Sequence, residues 1–162
     1  MVCACMCVCV SAARAVLLWP AGCWYVGQVS STDRRDRPHG SGRKHHADGS
    51  VEYTGEWRNG NCHGSGVWTC PEDDSYEGEF RDDEIHGLGS YTWEDGGTYS
   101  GEWEEGDKCG FGMEWDEDSK LSACGRWADD ELVESCPVPR ALVPLAKFLS
   151  AAGRTLPAHT HS

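Results

Sequence analysis

The stretch YTGEWRNGNCHGSG, residues 53–66, recurs along the chain as YEGEFRDDEIHGLG at 76–89 and as YSGEWEEGDKCGFG at 99–112, and this repetition predicts the architecture. The copies begin at residues 53, 76 and 99, so the period is 23 residues. A fixed period of this length is the signature of a repeat architecture. An aromatic residue recurs at Trp57, Phe80 and Trp103, and five further positions are identical in all copies: Tyr53/Tyr76/Tyr99, Gly55/Gly78/Gly101, Glu56/Glu79/Glu102, Gly64/Gly87/Gly110 and Gly66/Gly89/Gly112.

Each copy predicts a two-stranded hairpin. Side chains alternate along a strand, so Tyr53, Gly55 and Trp57 share one face, and Thr54, Glu56 and Arg58 share the other. Asn59-Gly60 and the cluster at 63–66 are predicted turn formers, because glycine accepts positive φ and asparagine tolerates it. Residues 67–69 and 91–93 are β-formers that supply the second strand.

Single hairpins are marginal in water, so the units are expected to stack side by side in one long antiparallel sheet. The glycine between the two aromatics leaves a slot, which we expect a ring from the adjoining hairpin to fill. Four to five hairpins at about 4.8 Å per strand predict a body on the order of 40 Å long. The expected fold is therefore all-β: an elongated single-sheet solenoid of antiparallel β-hairpins.

Two weaker copies flank the clear ones, as terminal repeats of a solenoid often do. Upstream, Tyr25, Gly27 and Gln28 begin a copy whose HGSG, at 39–42, is delayed by the insert STDRRDRP. Downstream, ACGRW at 123–127 aligns with YSGEW, with Ala123 in the tyrosine place. The predicted organisation is a Cys-rich tail at 1–23, a repeat domain at 24–135 (degenerate 24–50, clear 51–122, degenerate 123–135) and a C-terminal tail at 136–162.

These three copies resemble the MORN repeat, whose pattern runs roughly Y-x-G-x-W-x-x-G-x-x-H-G-x-G over about 23 residues. The resemblance covers 51–127 firmly and 24–50 weakly, and it departs at Cys109, in the His place, and at Asp83, in a Gly place. It implies an elongated sheet used as a scaffold or targeting module. Family members occur in membrane-junction and cytoskeletal proteins and as regulatory parts of lipid kinases and lysine methyltransferases, and phospholipid binding has been suggested for the repeat.

Charge is unevenly distributed along the chain. Residues 51–135 hold five Lys/Arg and twenty-four Asp/Glu, a balance of -19, whereas 1–50 and 136–162 each carry +3, for the total of -13. An acidic body repels phosphate backbones and anionic headgroups, so no nucleic-acid partner is expected and a membrane phospholipid partner is disfavoured. A basic protein partner remains compatible, and so does a solvated acidic face that only keeps the protein soluble.

The two ends allow several interpretations. The N-terminal stretch with Cys3, Cys5, Cys7 and Cys9 is compatible with a signal peptide, with S-palmitoylation or with a poorly defined tail, and the last is preferred. The absence of C-x-x-C favours reduced thiols and a cytoplasmic location, with membrane association as an alternative. At the other end, Leu142, Leu145 and Leu149 have helical spacing and predict one short amphipathic helix that caps the sheet or binds a partner.

The titratable residues do not predict an enzyme. His63, His86 and Cys109 share one repeat position, but equivalent residues in adjacent hairpins lie about 9–10 Å apart, so no shared metal ion is expected and local bonding in the turn is preferred. The carboxylate pairs are expected on exposed strands and tips, without the contrasting environments of acid–base catalysis. The chain carries no nucleophile, P-loop or dinucleotide motif, so no catalytic residue and no cofactor are predicted.

The sequence therefore predicts a non-enzymatic interaction protein that mediates protein–protein contacts. Alternatives are a peripheral membrane or phospholipid-associated adaptor that uses the N-terminal cysteines and the basic insert, and a regulatory fragment of an enzyme such as a phosphatidylinositol phosphate kinase or a lysine methyltransferase. The partner's identity and the oligomeric state are not predicted. The candidate binding or stacking face consists of Tyr53, Trp57, Tyr76, Phe80, Tyr99 and Trp103.

Overall fold

A computed structural model describes residues 6–11, 14–19, 21–30 and 36–136. In these ranges the chain forms a single sheet of twelve strands, in which every strand pairs antiparallel with the next one along the sequence. This confirms the predicted all-β sheet of hairpins. The predicted C-terminal helix lies outside the described residues. The strands are β1 (Met6–Ser11), β2 (Arg14–Leu18), β3 (Trp24–Val29), β4 (Pro38–His45), β5 (Val51–Arg58), β6 (Asn61–Thr69), β7 (Ser75–Arg81), β8 (Glu84–Thr92), β9 (Thr98–Glu104), β10 (Asp107–Trp115), β11 (Leu121–Ala128) and β12 (Glu131–Ser135).

Two kinds of connection alternate along the repeat domain. Two-residue turns at 59–60, 82–83, 105–106 and 129–130 close the hairpins, and both residues of each turn have positive φ. Such turns match the right-handed twist of the strands they join. Five-residue connections at 70–74, 93–97 and 116–120 lie at the opposite edge, each closed by a backbone hydrogen bond such as Cys70 N to Asp74 O, 2.8 Å.

The HGxG cluster is not a turn, contrary to the prediction. Residues 63–66 lie inside β6, and the register between β5 and β6 shifts after Gly55, so that Glu56 faces His63. Gly64 has a φ of 59° at this bulge, and Gly87 and Gly110 have 65° and 54° at the equivalent places. Bulges of the type that places a left-handed residue in the strand favour glycine, because glycine adopts this conformation without steric cost.

A line of glycines crosses the sheet from β3 to β11. Its members face one another in register across every strand pair: Gly27, Gly42, Gly55, Gly66, Gly78, Gly89, Gly101, Gly112 and Gly125. A Cβ atom on Gly55 or Gly66 would collide with the phenol of Tyr53, and Tyr76 and Tyr99 cover their own glycine pairs in the same way. The glycines therefore leave space next to the backbone, and the tyrosine rings occupy this space.

The ring that fills each glycine slot comes from the same hairpin, which corrects the prediction of an adjoining ring. Tyr53 lies over Gly55 and Gly66, and its hydroxyl donates to Glu56 O at 3.0 Å. The adjoining hairpin contributes an indole instead, because Trp57 Nε1 donates to Gly42 O at 3.2 Å. Tyrosine is two residues from its glycine, on the same face, so its ring reaches the slot without leaving the strand.

The aromatic rings form a continuous ladder on one face of the sheet, which we call the ring face. Successive rings meet edge to face with centroids 5.0–5.8 Å apart, the geometry that aromatic quadrupoles favour. The core of the repeat domain is this ladder rather than a layer of aliphatic side chains. Its order is Tyr25, Trp57, Tyr53, Phe80, Tyr76, Trp103, Tyr99 and Trp127.

The sheet extends beyond the predicted boundary at residue 24. Strands β1 and β2 occupy part of the segment predicted to be a poorly defined tail. Ala15 and Leu17 are buried and pair with Gly27 and Tyr25, so alternating apolar residues continue the ring face without aromatics. Twelve strands at about 4.8 Å give about 50 Å across the strands, longer than predicted.

Candidate interaction face

The six aromatic side chains predicted as the binding or stacking face are buried in the ring ladder. Their exposed fractions range from 0% for Tyr76 and Tyr99 to 7% for Phe80. Burial raises the pKa of the tyrosine hydroxyls above its ordinary value. A partner could contact these rings only by displacing the side chains packed against them. The burial therefore agrees with the stacking role, and a binding role for the six residues stays a prediction.

The repeated glutamate has a structural function that the sequence reasoning missed. Glu102 Oε1 accepts a hydrogen bond from Phe111 N at 2.9 Å, directly after the bulge at Gly110. The same pair recurs at 3.5 Å between Ser65 N and Glu56. In the first copy, Gln28 replaces glutamate and accepts from Ser41 N at 2.7 Å. The signal in the sequence was a side-chain oxygen acceptor at this position in the first copy and in all three clear copies, followed on the partner strand by a glycine; the downstream copy has Arg126 there instead.

His63 and His86 each contact an arginine of their own hairpin. Arg58 Nη1 lies 3.1 Å from His63 Nε2, and Arg81 Nη1 lies 3.2 Å from His86 Nε2. In both cases the partner arginine is five residues earlier, across the two-residue turn. His39 instead contacts the next hairpin, because its Nδ1 accepts from Asn59 N at 3.5 Å. The expected local bonding is therefore found for His63 and His86, although both residues lie within strands and not in a turn.

The face opposite the rings, which we call the polar face, carries an open groove of about 510 Å³. Its walls combine two guanidinium groups, hydroxyl side chains and one carboxylate. The groove crosses strands β2 to β6, each of which contributes at least one lining residue. The lining residues are Arg14, Val26, Ser41, Gly42, Arg43, Thr54, Gly55, Glu56 and Ser65.

Further along the polar face, two large apolar side chains are exposed to solvent. Leu88 is 62% exposed and Phe111 is 65% exposed. Each of them directly follows the glycine of its bulge. Leu88 pairs in register with Glu102, and the next residue, Trp103, is buried on the ring face, so Glu102 and Leu88 lie on the polar face. The equivalent residue of the preceding copy is Ser65. The sequence reasoning missed this pair, although strand alternation places the variable residue of HGxG on the face opposite the rings.

Charged side chains surround this apolar pair: carboxylates on β7 and β9, and the guanidinium of the exposed Arg126, which pairs in register with Phe111. Glu102 lies between the strands of Leu88 and Phe111, and Glu77, Glu79 and Glu104 are also exposed on neighbouring strands. Because two strand spacings separate Leu88 from Phe111, the apolar groups are about 10 Å apart. The polar face thus presents two apolar side chains in an acidic field, on a backbone held by strands on both sides.

Comparison with known proteins supports the repeat assignment. The family model described as MORN repeat matches four tandem segments, at residues 34–51, 53–75, 76–98 and 99–119. The matches include all three clear copies and part of the weak upstream copy, but not the downstream copy at 123–135. No curated protein matches the chain. Among the described residues no helix is long and apolar enough to cross a membrane.

Proposed function

Because the chain belongs to the MORN repeat family, whose model matches more than half of its residues, we propose that it is a non-enzymatic scaffold that binds a protein partner. The proposal places the partner on the polar face, because the ring face is occupied by its own stacked side chains. We also propose a cytoplasmic location. The partner we propose is a basic segment with apolar side chains.

The exposed pair Leu88 and Phe111 carries this proposal. Both side chains face away from the ring ladder, so their exposed apolar surface adds nothing to the core of the protein. Exposed apolar groups rimmed by charge are typical of interaction sites. The surrounding carboxylates favour lysine or arginine in the partner, because charge complementarity accelerates encounter and selects partners.

The direct test uses two labelled peptides and fluorescence anisotropy. One peptide alternates lysine and leucine, and the other alternates glutamate and leucine as a charge control. We expect the full chain to bind the basic peptide, with an affinity that falls as salt is added, and not to bind the acidic one. The double substitution Leu88→Ser/Phe111→Ser should weaken this binding about tenfold or more, because it removes both apolar contacts.

A matched control is available on the edge strand. Val133 is 59% exposed, about as much as Leu88, so Val133→Ser removes comparable apolar surface away from the proposed site. We expect this variant to bind as the unchanged chain does. Equal binding by the double variant and the unchanged chain would contradict the proposed face.

The phospholipid alternative has one observation in its favour. Arg14 and Arg43 both line the groove, so one end of the polar face carries two guanidinium groups suited to a phosphate. Co-sedimentation with phosphatidylcholine vesicles containing a phosphoinositide separates the two functions. Pelleting at low salt that Arg14→Gln/Arg43→Gln abolishes would favour the membrane adaptor, and no pelleting would remove it. Recovery of a stoichiometric enzyme in a pull-down would instead favour a regulatory subunit.

A further inference from the structure

Three side chains of metal-binding type converge at one edge of the sheet, where the weak first copy meets the first clear copy. The Sγ atom of Cys23, one imidazole nitrogen of His46 and one carboxylate oxygen of Glu52 all lie within 4.8 Å of one another. Cys23 ends the connection between β2 and β3, His46 begins the connection between β4 and β5, and Glu52 lies in β5. Since β3, β4 and β5 are successive neighbours, the sheet itself brings these residues together.

The backbone around the three residues is held by hydrogen bonds. Trp19 N donates to Cys23 O at 2.9 Å, and His46 N donates to Ser50 O at 2.9 Å. The residues beside them, Trp24 and His45, stack with ring centroids 3.7 Å apart. The positions from which the three side chains project are therefore set before any ligand arrives.

The side chains leave ligand atoms available. Lys44 Nζ binds Glu52 Oε1 at 2.6 Å, which orients the carboxylate and leaves Oε2 lying 3.6 Å from His46 Nδ1. His46 Nε2 is buried and has no hydrogen-bond partner among the described residues. All three residues are half-buried, so a cation could enter and still lose part of its water. The nitrogen that faces the carboxylate is Nδ1, so Nδ1 is the nitrogen that would bind the metal, and Nε2 makes no hydrogen bond with the described residues that would have to break when the ring adjusts.

We propose that Cys23, His46 and Glu52 form a zinc-type site with a fourth position open to solvent. Thiolate, imidazole and carboxylate are the ligands that Zn²⁺ takes, whereas Mg²⁺ and Ca²⁺ require oxygen ligands throughout. With bonds of about 2.0–2.3 Å, ligand atoms of a tetrahedral zinc ion lie about 3.5 Å apart. His46 Nδ1 and Glu52 Oε2 already have this separation, and Cys23 Sγ, which lies within 4.8 Å of both ligand atoms, needs a shift of at most about 1.3 Å, within reach of rotation about one bond.

The site is specific to the first copy. The positions equivalent to Cys23, His46 and Glu52 in the next copy are Val51, Cys70 and Ser75, which cannot supply the same set of ligands. A bound ion would tie the connection before β3 to the connection after β4, in the copy that the family pattern fits least. Because a preformed site binds the folded chain preferentially, the ion should stabilise this end of the sheet.

The test uses Co²⁺ as a spectroscopic probe for Zn²⁺, with the full chain in which Cys3, Cys5, Cys7 and Cys9 are replaced by serine. We expect visible absorption of a four-coordinate ion and a thiolate-to-cobalt charge-transfer band, both lost when one equivalent of Zn²⁺ is added. The affinity for Co²⁺ should fall about tenfold or more in Cys23→Ser, His46→Ala and Glu52→Gln.

The controls use the equivalent and the unrelated positions. Cys70→Ser removes a thiol that lies beside Glu72 at the equivalent edge position, and His63→Gln removes an imidazole of the HGxG cluster. Both variants should bind Co²⁺ as the parent does, and circular dichroism verifies that every variant is folded. The absence of a charge-transfer band in the parent overturns the proposal. An affinity that Cys23→Ser and Glu52→Gln leave unchanged also overturns it, and neither result depends on the scaffold function.

Discussion

Phe80 holds the position at which three other copies carry tryptophan. Trp57, Trp103 and Trp127 each donate Nε1–H to a glycine carbonyl of the preceding hairpin, at 3.2 Å in every case. Phe80 pairs in register with Gly64, as Trp57 does with Gly40, so the equivalent acceptor is Gly66 O. Phenylalanine has no donor, and this junction between hairpins therefore lacks a bond that the others possess.

We predict that Phe80→Trp stabilises the protein. The added hydrogen bond should raise the free energy of unfolding by about 0.5–1.5 kcal/mol, the usual net value of such a bond. Urea denaturation followed by circular dichroism measures the change, with Trp103→Phe as the reciprocal control, expected to lose a similar amount. A loss of stability in Phe80→Trp would mean that the ladder has no room for an indole at this junction.

Glu102 provides a second prediction at the scale of one residue. Its carboxylate accepts from Phe111 N beside the bulge, so Glu102→Ala should cost about 1 kcal/mol of unfolding free energy. Glu102→Gln should cost much less, because Gln28 makes the same bond in the first copy. Glu104→Ala, at an exposed position in the same strand, is the control for lost charge. Equal effects of the alanine and glutamine variants in urea denaturation would contradict the capping role.

At the scale of one element, the third clear hairpin replaces two apolar residues by an ion pair. Lys108 and Glu114 stand where the preceding hairpin has Ile85 and Tyr91. Lys108 Nζ lies 2.6 Å from Glu114 Oε2, and it also lies 4.8–5.2 Å from three ring centroids of the ring face. Both charged groups are largely buried, so each depends on the other for its solvation.

Exchanging this pair tests that dependence. Lys108→Ile should cost about 2 kcal/mol, because it leaves Glu114 partly buried without its counter-ion and removes the contact of the cation with the rings. The double variant Lys108→Ile/Glu114→Tyr restores the apolar pattern of the preceding hairpin, and we expect it to recover most or all of the loss. A double-mutant cycle in urea measures the coupling; losses that simply add would show that the two charges act independently.

At the scale of the whole molecule, one row of tyrosines governs the behaviour at high pH. Tyr25, Tyr53, Tyr76 and Tyr99 are at most 1% exposed, and burial raises the pKa of each hydroxyl above its ordinary value. The folded state therefore holds the neutral phenol, whereas the unfolded chain ionises above about pH 10. The stability that depends on neutral tyrosine is fully present below this pH and is lost as the pH rises beyond it.

We predict a steep alkaline transition. Above about pH 10 the free energy of unfolding should fall by about 1.4 kcal/mol per pH unit for each buried tyrosine. Tyr99→Phe should lower the stability at neutral pH, because the hydrogen bond from the hydroxyl to Glu102 O is lost. Above about pH 10 it should make the decrease of unfolding free energy with pH less steep, by the contribution of one tyrosine. Urea denaturation across the alkaline range measures the slope, and an unchanged slope in Tyr99→Phe would contradict the assignment.

The hairpin fold could be predicted because its determinants are local. The spacing of Tyr53, Gly55 and Trp57 defines one face of a strand, and Asn59-Gly60 defines a tight turn, so period and alternation lead directly to stacked hairpins. The bulge at Gly64 could not be told from a turn, because positive φ is common to both. The strands near the N terminus were missed because Ala15 and Leu17 continue the buried face without the repeated aromatic and glycine residues.

The 23-residue unit, the antiparallel sheet and the separation of an aromatic face from a polar one could all be predicted before folding, since they follow from alternation along each strand. The folded chain was needed to show which ring fills which glycine slot, that the repeated glutamate accepts a hydrogen bond beside a bulge, and that Leu88 and Phe111 are exposed on the polar face. It alone brought Cys23, His46 and Glu52 together. Contacts between neighbouring hairpins depend on register and side-chain reach across strands, which the order of residues along one strand does not contain.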